Sequence, residues 1–358
     1  MKYLLVVLTI LLVGVVYYVF MSQLLQFTAN RVPAKEDNLV TKAIKEIVPN
    51  IVYTSNIDIN YLRSLTIDSE KPVIEKELAD GSNYKQYIAS YISEGNKIYG
   101  LLTIPKGDMP SSGFSAIVFC HGYIPPSQYV TTQKYVEYVD YLAKNGFVVF
   151  KIDFRGNGES QGNANGSYFS PGYTIDAISA LKSLQKDDRI NAEKIGIWGH
   201  SMSGNVVMHS LLVSNNFKAA VIWAGAVYSY KDFAKYRIND NSYAQRPFGS
   251  PQNRENQNLE QVLKFREDPS QIDFNDSFWK SVSLTENINY LSTPLQINHA
   301  ITDPVVNIGY SRDLVQVLKN NNKTYEFYEY KSGGHNIESP YFEEAMKNTI
   351  DFFNKYLK

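Results

Sequence analysis

The sequence predicts an α/β fold: a mostly parallel central sheet with helices on both faces. Apolar strand-like runs alternate with helix-like stretches from about residue 114 onward, and such alternation demands right-handed crossovers and a sheet covered on both sides. Chemically active residue types stand directly after several of those strands, where an open parallel sheet puts its ligand crevice. Size agrees, since 358 residues with 44% hydrophobic content fill one large core and leave a small appendage.

The chain opens on Tyr3 to Met21, nineteen residues without a charge, close to the ~20 a helix needs to cross a bilayer. The run exceeds the ~7 to 15 residues of a cleavable signal peptide's apolar region, and no clean small-x-small site follows it. Residues 1–22 therefore read as an uncleaved transmembrane signal anchor in preference to a cleaved signal peptide. Lys2 on one side and Arg31 and Lys35 on the other give almost no charge asymmetry, so orientation rests on the usual dominance of the first helix. That expectation puts the rest of the chain outside the cytoplasm, attached to the bilayer by a single pass. Residues 23–83, a mixture of charges, Asn and short apolar stretches such as Ala43 to Val48, read as a juxtamembrane spacer.

The folded domain is expected at 84–358. Tyr84 to Ser93 and Lys97 to Ile104 are strand-like runs joined by Glu94-Gly95-Asn96, a hairpin composition. Phe114 to Cys120 reads as a buried strand, Gln133 to Asn145 as an amphipathic helix closed by Gly146, and Phe147 to Asp153 as the next strand. A helix over Pro171 to Gln185, a strand over Lys194 to Gly199 and a helix over Asn205 to Val213 continue the pattern. Strands at Ala219 to Ala224, Pro294 to Asn298 and Thr324 to Tyr330 complete it. The excursion at about 227–285 far exceeds the ~2 to 6 residues of an ordinary connection. With helix-like pieces at Asn258 to Phe265 and Asp276 to Val282, it reads as an inserted lid over the substrate.

Charge narrows the function. Lys and Arg number 35 against 36 Asp and Glu, so no field of one sign exists to collect nucleic acid. The single Cys120 can form no intramolecular disulfide and reads as a core residue. Glycines at 156 and 158 would need a third at 161 for a dinucleotide loop, and position 161 is Gln161. No clustered His/Cys spacing suggests a metal. The chemistry below needs no cofactor.

The strongest signal is Gly199-His200-Ser201-Met202-Ser203-Gly204, with an apolar strand before it and a helix after it. A serine hydroxyl becomes a useful nucleophile when a sharp strand-to-helix turn holds it out of the sheet, and small residues must flank it there. Ser203 stands where glycine is usual, with Gly204 next. A base and an orienting acid should follow in the order acid, histidine. Asp303, after the strand ending at Asn298, and His335, after two glycines beyond the strand ending at Tyr330, supply them. Asp303 also suits a turn, being followed by Pro304. His121 and His200 adjoin strand ends and suit structural roles, His209 lies in the helix after Ser201 and His299 precedes Asp303 by four residues, and none of the four is expected to be the base. The amide of Met202 is one expected donor to an oxyanion, and the amide of Tyr123, after His121-Gly122, the second. Asp153 and Arg155 read as structural charges in a bracing turn.

The His-Gly turn at 121, Asp153-x-Arg-Gly-x-Gly-x-Ser, Trp198-Gly-His-Ser-Met and Gly-Gly-His at 333–335 together resemble the α/β-hydrolase superfamily. Within it the chain looks most like the catalytic domain of prolyl oligopeptidase-type serine peptidases and the similar dienelactone hydrolases, over about residues 85–358. The resemblance implies Ser201, Asp303 and His335 as a triad, the Tyr123 and Met202 amides as the oxyanion hole, and acyl transfer on a peptide or small-molecule substrate with an amide or ester bond. Larger peptidases of that kind carry a β-propeller, for which about 60 residues ahead of the domain leave no room. A carboxylesterase is therefore the alternative, and a catalytically silent binding protein of the same fold the third reading.

Overall fold

The computed structural model describes residues 56–238 and 259–358, and its nine strands form one sheet. β1 (Val73–Glu77), β2 (Tyr84–Ser93) and β3 (Asn96–Pro105) are antiparallel. β4 (Phe114–Cys120), β5 (Val148–Ile152), β6 (Ile190–His200), β7 (Ala220–Trp223), β8 (Leu295–Ala300) and β9 (Tyr325–Tyr330) are parallel to one another. The spatial order is β1-β2-β3-β5-β4-β6-β7-β8-β9. The expected hairpin closes on a two-residue turn, Glu94 and Gly95, both at positive φ, with Ser93 opposite Asn96, the backbone that suits twisted strands.

One face of the sheet carries α1 (Ile59–Ser64), α3 (Gly172–Gln185), α4 (Ser203–Val213) and α8 (Gly309–Asn320). The other carries α2 (Val136–Lys144) and α9 (Phe342–Leu357). Strand order reverses at β4: β5 lies on one side and β6 on the other. Such a switch point opens a crevice beyond the carboxyl ends of the two flanking strands. The loop after β4 begins at His121 and the turn after β6 holds Ser201, so these two segments meet at that crevice.

Two expectations need correction, and two fall outside the described residues. The spacer reading of 23–83 fails at its carboxyl end. Ile57, Ile59 and Leu62 are buried in the main core, and β1 extends the sheet by pairing with β2. Every residue of β1 is exposed, so no alternation betrayed it. The helix expected from Gln133 starts only at Val136, because Lys134 and Tyr135 are both left-handed, with φ 53° and 56°. The apolar run of 1–22 lies outside the described residues, among which no helix is long and apolar enough to cross a membrane. Residues 239–258 of the expected lid lie outside them too. The described parts of that excursion are α5 (Tyr230–Tyr236), α6 (Leu259–Glu267) and α7 (Ser277–Val282). Tyr230, Phe233, Phe265 and Trp279 pack there as one buried aromatic cluster, so those parts belong to the core and are no loose polar loop.

Candidate active site

Ser201 sits at the junction of β6 and α4 with φ 56° and is only 4% exposed. Its amide donates to the Trp223 carbonyl at 2.9 Å, and its carbonyl accepts from Gly204 at 2.8 Å. A non-glycine residue at positive φ is costly, and such strain collects at functional sites. The turn is tight enough to need small neighbours. A Cβ on Gly199 would stand 2.6 Å from Val207, and one on Gly204 would stand 2.5 Å from the Gly225 Cα. The glycine that close packing requires is therefore Gly204, which leaves position 203 free for another residue. Ser203 uses that freedom: its hydroxyl donates to the His121 carbonyl at 2.5 Å, tying the start of α4 to the loop after β4.

His335 lies on a short 3-10 turn, Gly334–Asn336, behind Gly333 and Gly334 at φ 110° and 62°. Both glycines are thus needed for the swing that brings the ring inward. Its Nε2 is 2.9 Å from the Ser201 Oγ, and its Nδ1 is 2.8 Å from the Asp303 Oδ2. A carboxylate only accepts, so Nδ1 carries the proton and Nε2 is left to accept from the serine hydroxyl. Asp303 divides its oxygens. Oδ1 accepts from the Val305 and Val306 amides at 2.8 and 2.9 Å, the turn-residue role, while Oδ2 faces His335. Burial alone would raise this carboxyl. The bonds from His299, His335 and the Val306 amide outweigh it and hold Asp303 well below the ordinary carboxylate range.

His299, not expected to be the base, adjoins the acid directly. Its Nε2 is 3.2 Å from the Asp303 Oδ2 and 3.0 Å from the Val306 carbonyl, while Nδ1 meets the Ser311 hydroxyl at 2.7 Å. Two acceptors at Nε2 fix the proton there, so the ring braces Asp303 and cannot serve as a base. The signal existed in the sequence as a histidine four residues before an aspartate at a strand end. His200 is likewise engaged at both nitrogens, with Tyr135 and with the His335 carbonyl. His121 and His209 are buried and bond elsewhere, His121 to the Gly122 and Asp153 carbonyls and His209 to Asn205.

The amides of Tyr123 and Met202 donate to no acceptor among the described residues. Gly122 is required beside them, since a Cβ there would stand 2.5 Å from the Tyr135 hydroxyl and 3.2 Å from the Ser201 Cβ. A cavity of about 240 Å³ opens at Ser201, walled by Tyr123, Tyr135, Val305, His335 and Asn336. A larger one of about 470 Å³ shares Tyr135 and Asn336 with it and extends between Ile124, Tyr138 and Phe342. Arg155 and Asp153 have structural partners: Arg155 pairs with buried Asp176 at 2.8 Å, and Asp153 accepts from Tyr129 and Thr131.

A family profile described as serine aminopeptidase, S33, matches residues 113–339. The uncharacterized peptidase YtmA of Bacillus subtilis is 27% identical over 156 residues, 43% of this chain and 57% of that protein. Dipeptidyl peptidase 4 of Porphyromonas gingivalis superposes with a TM-score of 0.58 at 20% identity, covering 77% of this chain and 36% of that one. An acetyl xylan esterase from Paenibacillus sp. R4 superposes with a TM-score of 0.59 at 17% identity, covering 84% and 92%. The chain thus spans little more than half the length of YtmA and about a third of the Porphyromonas peptidase. At these identities the structural likenesses are likenesses of fold.

Proposed function

Because the matched residues 113–339 make up more than half of the chain, the protein belongs to the serine aminopeptidase S33 family and has the α/β-hydrolase fold, and we propose that it cleaves amide or ester bonds by acyl transfer through Ser201. The observation supporting this reading is the unbroken hydrogen-bond series Ser201 Oγ, His335, Asp303, at 2.9 and 2.8 Å. In the proposed reaction the Ser201 oxygen attacks the substrate carbonyl as its proton passes to the His335 Nε2. The ionised Asp303 stabilises the imidazolium that forms and holds its tautomer. The Tyr123 and Met202 amides, which meet no other acceptor among the described residues, receive the developing oxyanion. His335 then gives its proton to the leaving amine or alcohol, and water, deprotonated by the same ring, releases the acyl group.

Peptide bonds are the proposed substrate, in the manner of prolyl oligopeptidase-type peptidases, with a carboxylesterase as the competing activity. Kinetics on aminoacyl anilides against short-chain nitrophenyl esters separates the two. The triad itself is tested by a fluorophosphonate, which should form a covalent adduct with the wild-type chain and none with Ser201→Ala. Turnover of Ser201→Ala or His335→Ala should fall by about 10³-fold or more with the fold kept, and undiminished turnover in either would end the assignment. The proposal includes Tyr3 to Met21 as a membrane anchor with the hydrolase outside the cytoplasm. Release of the full chain from membranes by alkaline carbonate would count against it.

A further inference from the structure

Lys151 is the anomaly of the sheet: it sits in β5 between Phe150 and Ile152 and is fully buried. Its ammonium donates to the carbonyls of Gln133 and Lys134 at 3.0 and 3.3 Å. These carbonyls belong to the left-handed turn of Lys134 and Tyr135 that opens α2. Two successive non-glycine residues in that conformation persist only where surroundings hold them, and the buried ammonium supplies that hold. Burial brings Lys151 down to about 8, against the pull of Asp153, so it remains charged at neutral pH.

The turn aims the Tyr135 hydroxyl at two partners, the Gly122 amide at 2.9 Å and the His200 Nδ1 at 2.7 Å. The His200 Nε2 in turn lies 2.9 Å from the His335 carbonyl. Directions follow from the acceptors. A carbonyl cannot donate, so Nε2 carries the His200 proton, Nδ1 must accept, and the Tyr135 hydroxyl donates to it while accepting from Gly122. The series is complete, with every donor matched to an acceptor.

We propose that Tyr135 and His200, set by Lys151, are positioning residues that lock the loop bearing the Tyr123 amide to the loop bearing His335. The proposal rests on the acyl-transfer reading, because those loops are the ones whose spacing that chemistry needs. The ring of His200 lies 4.5 Å from that of His335. Burial first, and the neighbouring His335 second, hold His200 down to about 3, so it stays neutral beside the imidazolium and does not compete for its proton. Packing of the Tyr135 ring against Phe119, Tyr138 and Trp198 would be kept by phenylalanine, which isolates the hydroxyl as the element to remove.

The test compares wild type, Ser201→Ala and Tyr135→Phe as full chains, by fluorophosphonate labelling rate, by kcat and KM on a nitrophenyl ester, and by ¹⁵N NMR of the imidazoles. Tyr135→Phe should label and turn over about 10-fold more slowly, through misplacement of reacting groups, with KM within about twofold and a melt still cooperative but at a lower midpoint, since the Gly122 amide and the His200 Nδ1 lose their partner. In wild type the His200 proton should reside on Nε2, and the Nδ1 resonance should move when the tyrosine hydroxyl is removed. A Tyr135→Phe chain labelling at the wild-type rate, or a His200 proton found on Nδ1, overturns the proposal. Absence of wild-type labelling, or labelling that survives in Ser201→Ala, would instead remove the hydrolase reading, and the tautomer would still decide whether the brace exists.

Discussion

Asp303 illustrates how one residue serves both structure and chemistry through separate atoms. Its Oδ1 closes the Val305–Val306 turn and its Oδ2 receives the two imidazoles. Asp303→Asn should keep the turn, since an amide oxygen can still accept from both amides, while its NH₂ would face nitrogens that already carry protons. On the proposed mechanism the His335 tautomer then reverses, and kcat should fall by about 10⁴-fold with the fold kept; lost turnover in a chain that still unfolds cooperatively, at a midpoint lowered by the missing carboxylate, is the measurement. Because its folded value is depressed, Asp303 contributes stability above the ordinary carboxylate range that is lost only as pH falls through that lowered value. Ser203 presents a milder case. Ser203→Gly restores the residue usual at that position yet removes the bond to the His121 carbonyl and adds backbone freedom at the start of a helix. It should destabilise by about 1 to 2 kcal/mol, and a gain in urea midpoint would refute the bond's value.

Elements are joined by charges as well as by apolar faces. Arg155, in the loop after β5, binds Asp176 on α3 through its amide and guanidinium and reaches Glu94 in the hairpin turn at 2.8 Å. Asp176 is fully buried and Arg155 nearly so. Arg155→Ala would strand that carboxylate, and urea denaturation should show a loss of about 3 to 5 kcal/mol, whereas a loss below 1 kcal/mol would mean the pair does not clamp these elements. Of this clamp only Arg155 was legible, as a structural charge beside Asp153; Asp176, inside a helical run, carried no signal of its own. The strands and the positions of Ser201, Asp303 and His335 were legible because each follows an apolar run, and because Gly333 and Gly334 signalled a swinging loop. β1 was not, since an edge strand exposed on both faces leaves no period. Lys151 and Tyr135 were invisible for another reason: their partners are backbone carbonyls, an amide and a distant ring nitrogen, which the sequence does not encode locally. Whether α2 began at 133 or 136 turned on the same unreadable contacts.

At the scale of the whole molecule, the buried histidines set how the protein meets acid. Burial lowers His121 and His209 from 6.5 to about 4, and burial together with His335 lowers His200 to about 3. Below pH 6.5 the unfolded chain takes up protons at these three sites that the folded chain refuses, so stability must fall on acidification. Asp153 acts in the opposite sense. Burial raises it from 3.8 to about 6 against the bonds from Thr131 and Tyr129, so between those values the folded chain holds one proton more and offsets one of the three. The unfolding free energy should therefore decline between pH 6.5 and 4 with the slope of about two net protons, each worth about 1.4 kcal/mol per pH unit. Urea titrations at stepped pH measure it. His209→Leu, remote from the serine hydroxyl, should reduce the slope by one proton whatever it does to the midpoint. A stability that stays level from pH 6.5 to 4 would mean these rings are charged in the folded chain, and the neutral His200 on which the brace depends would be lost with them.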